Sequence, residues 1–117
     1  MPAFKLNLKI DQGATFYKAV TWKTGQPPQA VDLTDCTARM HVRESLDALL
    51  VLLDLSTENG RIVLGGPTGA VALVVDATTT AALTWDSGVY DLEIIFPDGT
   101  VRRLLAGSVS VSPEVTR

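Results

Sequence analysis

One cysteine and one histidine in 117 residues exclude a good deal of chemistry. A lone Cys36 forbids an intramolecular disulfide, and a closed zinc site of cysteines and histidines cannot be assembled from it and His41. Basic residues are few: 10 Lys and Arg stand against 13 Asp and Glu, for a formal net charge of −3. No basic run exceeds Arg102-Arg103, so recognition of nucleic acid by phosphate neutralisation is not expected. Long apolar runs are missing as well. The longest covers residues 48–53, far short of the ~20 residues a membrane helix needs, so no membrane association is expected. The opening stretch "MPAFKLNLKI" alternates in polarity and lacks the apolar centre of a signal peptide, and a free thiol fits synthesis in the cytoplasm. What remains is a chain 46% apolar and 20% charged, the balance of a globular protein, and its length fits one domain over residues 1–117.

Short strands separated by turn signals account for most of that domain. Phe4, Leu6, Leu8 and Ile10 alternate with Lys5, Asn7 and Lys9, the pattern of a half-buried strand. Asp11-Gln12-Gly13 breaks it, and Phe16, Val20 and Trp22 share one face of a second strand. "KTGQPPQA" reads as a loop, because Pro27 and Pro28 have no amide to donate to a ladder. The clearest alternation places Ala38, Met40 and Val42 inward, with Thr37, Arg39, His41 and Arg43 outward. "ESLDALLVLLDL" has two readings. Leu46, Leu49, Leu50 and Leu53 have helical spacing, but a loop followed by a strand over residues 49–55 is preferred, because "TENG" and the strand-like Arg61-Ile62-Val63-Leu64 follow at once. "GGPTG" is a turn, and residues 70–75 form a β-branched strand. Asp76 suits the cap of a short helical turn near residues 77–83. Residues 89–96 and 101–111 form a hairpin turning at Phe96-Pro97-Asp98-Gly99-Thr100, with Asp98 and Gly99 as structural residues and Gly99 in the left-handed conformation.

Chemistry is hard to place on this frame. His41 points outward between Arg39 and Arg43, with no carboxylate evident at sheet spacing to orient it, and no serine stands where a triad needs one. Asp76, Asp86 and Asp91 lack calcium-loop spacing, and "GGPTG" lacks the lysine of a phosphate-binding loop. Cys36 has no cation near it in sequence to generate a thiolate. Trp22 and Trp85 are the candidate sugar platforms, and both fit core positions. The chain is therefore read as a non-enzyme with no cofactor, no metal and no small-molecule substrate.

The stretch "WDSGVYDLEI" resembles the D-S-G-V-Y of immunoglobulin variable domains, except that Leu92 stands where they carry cysteine. Gly88 and Tyr90 are expected to be structural, with the Tyr90 hydroxyl turned back onto upstream backbone as a tyrosine corner, in a layout with Leu83 and Asp86. The fold class expected is all-β, a two-sheet Greek-key (immunoglobulin-like) sandwich of seven or eight strands. Over residues 13–112 the order of motifs also resembles small β-sandwich proteins of tailed bacteriophages and prophages, similar to the N-terminal domain of the upper baseplate protein family. The shared punctuation is Asp32-Leu33-Thr34, Gly69-Ala70-Val71, Gly88-Val89-Tyr90 with Ile94, and Asp98-Gly99. The resemblance implies a virion structural protein, tail- or baseplate-associated and made in the bacterial host cytoplasm. It would act by self-assembly and by docking on other phage virion proteins. The alternatives are a carbohydrate-binding or adhesion module and a capsid or head–tail-joint accessory protein.

A self-association surface is expected on the last hairpin. Strand side chains alternate faces, so the parity of Tyr90 and Leu92 sends Ile94 and Phe96 inward and leaves Ile95 out. The parity of Val109 and Val111 sends Leu105 inward and Leu104 out. Ile95 and Leu104, with Ala106 at the margin, then form one apolar patch suited to a homo-oligomer contact.

Overall fold

The structure, a computed structural model, describes residues 3–116. The expected domain of residues 1–117 also takes in Met1, Pro2 and Arg117, which lie outside the described residues. In chain order the strands are β1 (Phe4–Lys5), β2 (Leu8–Asp11), β3 (Phe16–Thr21), β4 (Lys23–Thr24), β5 (Gln29–Ala30), β6 (Thr37–Arg43), β7 (Val51–Ser56), β8 (Ile62–Leu64) and β9 (Ala70–Val75). The helix α1 (Ala77–Ala81) follows, then β10 (Ser87–Ile95) and β11 (Val101–Ser112). The fold is mostly β, with more and shorter strands than the seven or eight expected.

The larger sheet runs β11-β10-β6-β7 in antiparallel order, and both β1 and β2 pair with β11 in parallel. The smaller sheet is β3-β9-β8, and β4 pairs with β5 alone. Alternation explains which faces meet. Ala38, Met40 and Val42 of β6 are buried, as are Tyr90, Leu92 and Ile94 of β10; Val71, Leu73 and Val75 of β9 are buried in the smaller sheet. These residues form one apolar cluster with Leu8, Ile10, Trp22, Leu33 and Ile62, so the two sheets share a core. Burying each such side chain contributes roughly 1.5–3 kcal/mol.

The strand reading of residues 49–55 holds as β7 from Val51 onward, while Leu49 and Leu50 belong to the preceding loop. The helical turn holds too. The Asp76 carboxylate accepts from the Thr79 amide at 2.9 Å, closing the first turn of α1 and holding that carboxyl below its usual range. Inside α1, the buried Thr80 hydroxyl donates to the Ala14 carbonyl and accepts from the Gly13 amide, tying the helix to the turn between β2 and β3.

Three expectations are corrected. The strand over residues 4–10 breaks at Leu6 and Asn7, because the Asn7 side chain, in place of backbone, accepts from the Ser108 amide; Phe4 is left 52% exposed. "KTGQPPQA" is a hairpin, since Pro27 and Pro28 occupy its turn and leave Lys23–Ala30 and Thr24–Gln29 free to pair. Finally, the β10–β11 ladder slips by one residue: Leu92 faces Leu105, but Glu93 faces Arg103. Leu104 is the extra residue of this bulge. Its insertion flips the outward parity of β11 from Val101 and Arg103 to Ala106 and Ser108, and both Leu104 and Leu105 turn into the core.

Candidate functional site

The outer face of the larger sheet carries most of the polar chemistry, and strand register puts it in rows. Asp54 of β7, His41 of β6 and Asp91 of β10 lie side by side, as do Arg39 of β6, Glu93 of β10 and Arg103 of β11. Carboxylates therefore flank His41 on both neighbouring strands, contrary to the expectation that none lies at sheet spacing. Strand pairing set this, and no local pattern around His41 could reveal it. His41 Nε2 lies 3.5 Å from Asp54 Oδ1. Its Nδ1 lies 3.5 Å from Arg43 Nη2, and because a guanidinium only donates, Nδ1 is the accepting nitrogen. Both ring nitrogens thus face charged partners, and neither is directed at a hydroxyl.

The remaining charges compensate one another. Arg39 Nε donates to Glu93 Oε1 at 2.8 Å, and Arg103 Nε lies 3.3 Å from Asp91 Oδ2. Arg43 reaches past the end of β6 to the loop of residues 44–50, where it donates to the Leu49 carbonyl at 2.7 Å and the Ala48 carbonyl at 3.2 Å. These groups line a shallow open depression of about 480 Å³, bounded on its far side by Ala106 and Gly107. Such exposed pairs contribute little stability, about 0–1 kcal/mol each, and every arginine of the depression already has an acceptor. Among the described residues, no three His, Cys, Asp or Glu side chains gather as a metal-ligating group.

The expected interface residues are not brought together. Ile95 is half-buried between Thr37 and Val101, Ala106 sits beside Asp91 in the charged depression, and Leu104 is in the core. Of the structural residues, Gly88 is buried where a Cβ would lie 2.7 Å from the Arg43 carbonyl. Gly99 has φ +89°, as expected, and its amide donates to the Phe96 carbonyl. Asp98 accepts from the Thr100 amide at 2.8 Å, which holds its carboxyl below the usual range. Tyr90 is buried, and its hydroxyl does turn onto upstream backbone. The acceptor, however, is the Leu6 carbonyl at the break between β1 and β2, and not the segment before β10. Burial raises the Tyr90 phenol to about 12. Cys36 is half-buried; desolvation first, then Asp32, Asp35 and Asp98, push its thiol up and away from reactivity. Trp22 lies in the core against Phe96, their ring centroids 6.0 Å apart, and Trp85 is half-buried against the same core.

Among the described residues, two groups of exposed apolar side chains stand out. At the β6–β7 connection, Leu46, Leu49 and Leu50 are 88%, 94% and 72% exposed. On the smaller sheet, Tyr17, Ala19 and Thr21 of β3 point away from the core. They lie level with Val74, Ala72 and Ala70 of β9, and Val63 of β8 completes the middle row. That outer face bears no charge along β3 and β9, and Tyr17 and Val63 are its most exposed large side chains. Among the described residues, no helix is long and apolar enough to cross a membrane. No protein-family model matches the chain, and no curated protein is significantly similar to it.

Proposed function

We propose that this chain is a non-enzymatic structural protein of a tailed-phage or prophage virion, tail- or baseplate-associated, made in the bacterial host cytoplasm. It works by assembling with copies of itself and by docking on other virion proteins. One observation carries this reading: the molecule displays apolar side chains on two surfaces, while Arg39, Asp91, Glu93 and Arg103 in the depression on the larger sheet are paired with one another. A small soluble domain that exposes contiguous apolar surface invites protein contacts, whereas a catalytic site needs a polar group left free to act on a substrate. The motif order from Asp32-Leu33-Thr34 to Asp98-Gly99 supports the phage context by resemblance.

The finer fold assignment is part of the same proposal. β10 lies between β11 and β6, and the chain leaves the larger sheet after β7 to build β8 and β9 in the other. This arrangement suits a Greek-key, immunoglobulin-like sandwich. The rival carbohydrate-binding reading relied on Trp22 and Trp85 as a platform; the burial of Trp22 removes half of it.

The gene neighbourhood tests the context directly. Portal, tape-measure or baseplate genes beside this one are the expected result; a neighbourhood devoid of virion genes overturns it. Light scattering coupled to size exclusion at micromolar concentration tests self-assembly, with a mass above the single chain expected.

A further inference from the structure

We infer that the protein assembles head to tail, the leucine loop of residues 44–50 seating on the uncharged outer face of β3, β9 and β8 in a second copy. The inference rests on the self-assembly part of the proposed function and names its two surfaces.

Coverage is the first argument. Two-fold pairing through either surface leaves the other in water, whereas a loop-to-face contact repeated around a ring covers both on every copy. Size is the second. β3 and β9 have six residues each and β8 three, so the face presents at most roughly 20 by 14 Å, and pairing it with itself buries no more than about 600 Å² in total. That is about half of what a stable dimer needs. A ring gives each protomer two contacts, with three leucines added to each.

Charge is the third argument. The loop contains Glu44 and Asp47 against the one cation that reaches it, Arg43, while Lys23 stands two residues beyond Thr21 at the end of β3, with no carboxylate within residues 12–31. Glu44, Asp47 and Lys23 are exposed. The charges thus complement each other from loop to face and repel loop from loop. Lys18 adds a restriction: it projects from the core-side face of β3 between Phe16 and Val20, a device that discourages another strand from adding to that edge. The sheet face, and not its edge, is left for docking. The loop is also pre-shaped, since Arg43 holds the Ala48 and Leu49 carbonyls and little ordering is needed on binding.

The test uses two variants, Leu49→Asp with Leu50→Asp for the loop and Tyr17→Glu with Val63→Glu for the face, each checked for native circular dichroism. Wild type is expected to be oligomeric and each variant monomeric by light scattering. An equimolar mixture retains one intact contact per pair, so its mass should rise with concentration to roughly twice the single chain and stop there. A monomeric wild type overturns this inference together with the self-assembly reading. An oligomeric wild type whose folded variants keep their mass overturns the inference alone. So does a mixture that stays monomeric, or a single variant that still dimerises. If the face variant does not fold, Leu49→Cys and Val63→Cys chains, both in a Cys36→Ser background, replace it. A disulfide between the two different chains is expected, and its absence in an oligomeric protein counts against the contact.

Discussion

The Tyr90 hydroxyl donates to the Leu6 carbonyl at 2.7 Å, joining residues 84 positions apart. Tyr90 faces Gly107 across the β10–β11 ladder, and a Cβ on Gly107 would collide with that same Leu6 carbonyl. The missing side chain opens the route by which the tyrosine reaches the break between β1 and β2. One hydrogen bond thus pins the start of the chain to the centre of the larger sheet.

Tyr90→Phe should cost about 1 kcal/mol, since it strands a partly buried carbonyl. Tyr90→Ala should cost about 3–5 kcal/mol through the cavity it leaves. Urea denaturation of both variants separates the hydroxyl from the ring; a neutral Tyr90→Phe beside a severe Tyr90→Ala would remove the hydrogen bond from the account.

The same phenol predicts an alkaline limit. Its folded value of about 12 lies above the ordinary 10.0. Between the two, the folded state holds a proton that the unfolded chain has released. The Tyr90 contribution is therefore complete below about 10 and lost as pH rises toward 12. Wild-type stability should fall across that window, and Tyr90→Phe should flatten the fall; the measurement is urea midpoints at stepped alkaline pH.

Gly107→Ala should destabilise by roughly 1–3 kcal/mol through overpacking against Leu6. Gly99→Val should cost a similar amount for a different reason. Nothing lies within 4 Å of a Cβ there, so the cost is the φ of +89° alone. Gly99→Asn, which tolerates that region, should recover most of the loss in thermal melts, whereas Gly107→Asn should not recover that of Gly107→Ala.

Leu104→Lys should unfold the protein, because it buries a charge at a site only 4% exposed. Ile95→Lys should be far milder. If Leu104→Lys instead melts like wild type, the bulge is misplaced and Leu104 faces solvent.

Arg43→Ala should loosen the loop of residues 44–50 at a cost of about 1 kcal/mol to global stability. Limited proteolysis should cut there faster than in wild type while circular dichroism stays unchanged.

Local alternation was sufficient to read β6 and most of β10, because each has a single buried face and a one-residue slip would invert it; β9, apolar throughout, was legible from its β-branched run between two turn signals. The Asp76 cap and the Pro97-Asp98-Gly99 turn were legible for the same reason, since their residue types act on their own neighbours. The bulge was not. Leu104 and Leu105 are both apolar, so either parity satisfies the pattern, and the interface expected at Ile95, Leu104 and Ala106 depended on that parity. The carboxylates beside His41 and the acceptor of Tyr90 depend on which strands become neighbours. For Tyr90 that means β1 and β2 lying parallel beside β11, which periodicity within a segment does not encode.

That parallel pairing has a mechanical consequence. β2 and the last four residues of β11 run in the same direction, Leu8 beside Val109 through Asp11 beside Ser112. Tension applied to the two ends of this unit pulls the two strands past each other along their length, loading their hydrogen bonds together and not one after another. A pulling experiment should record a high, abrupt rupture force. Reversing the geometry, by attaching the handles at Asp11 and Ser112, should peel the same strands apart at a much lower force.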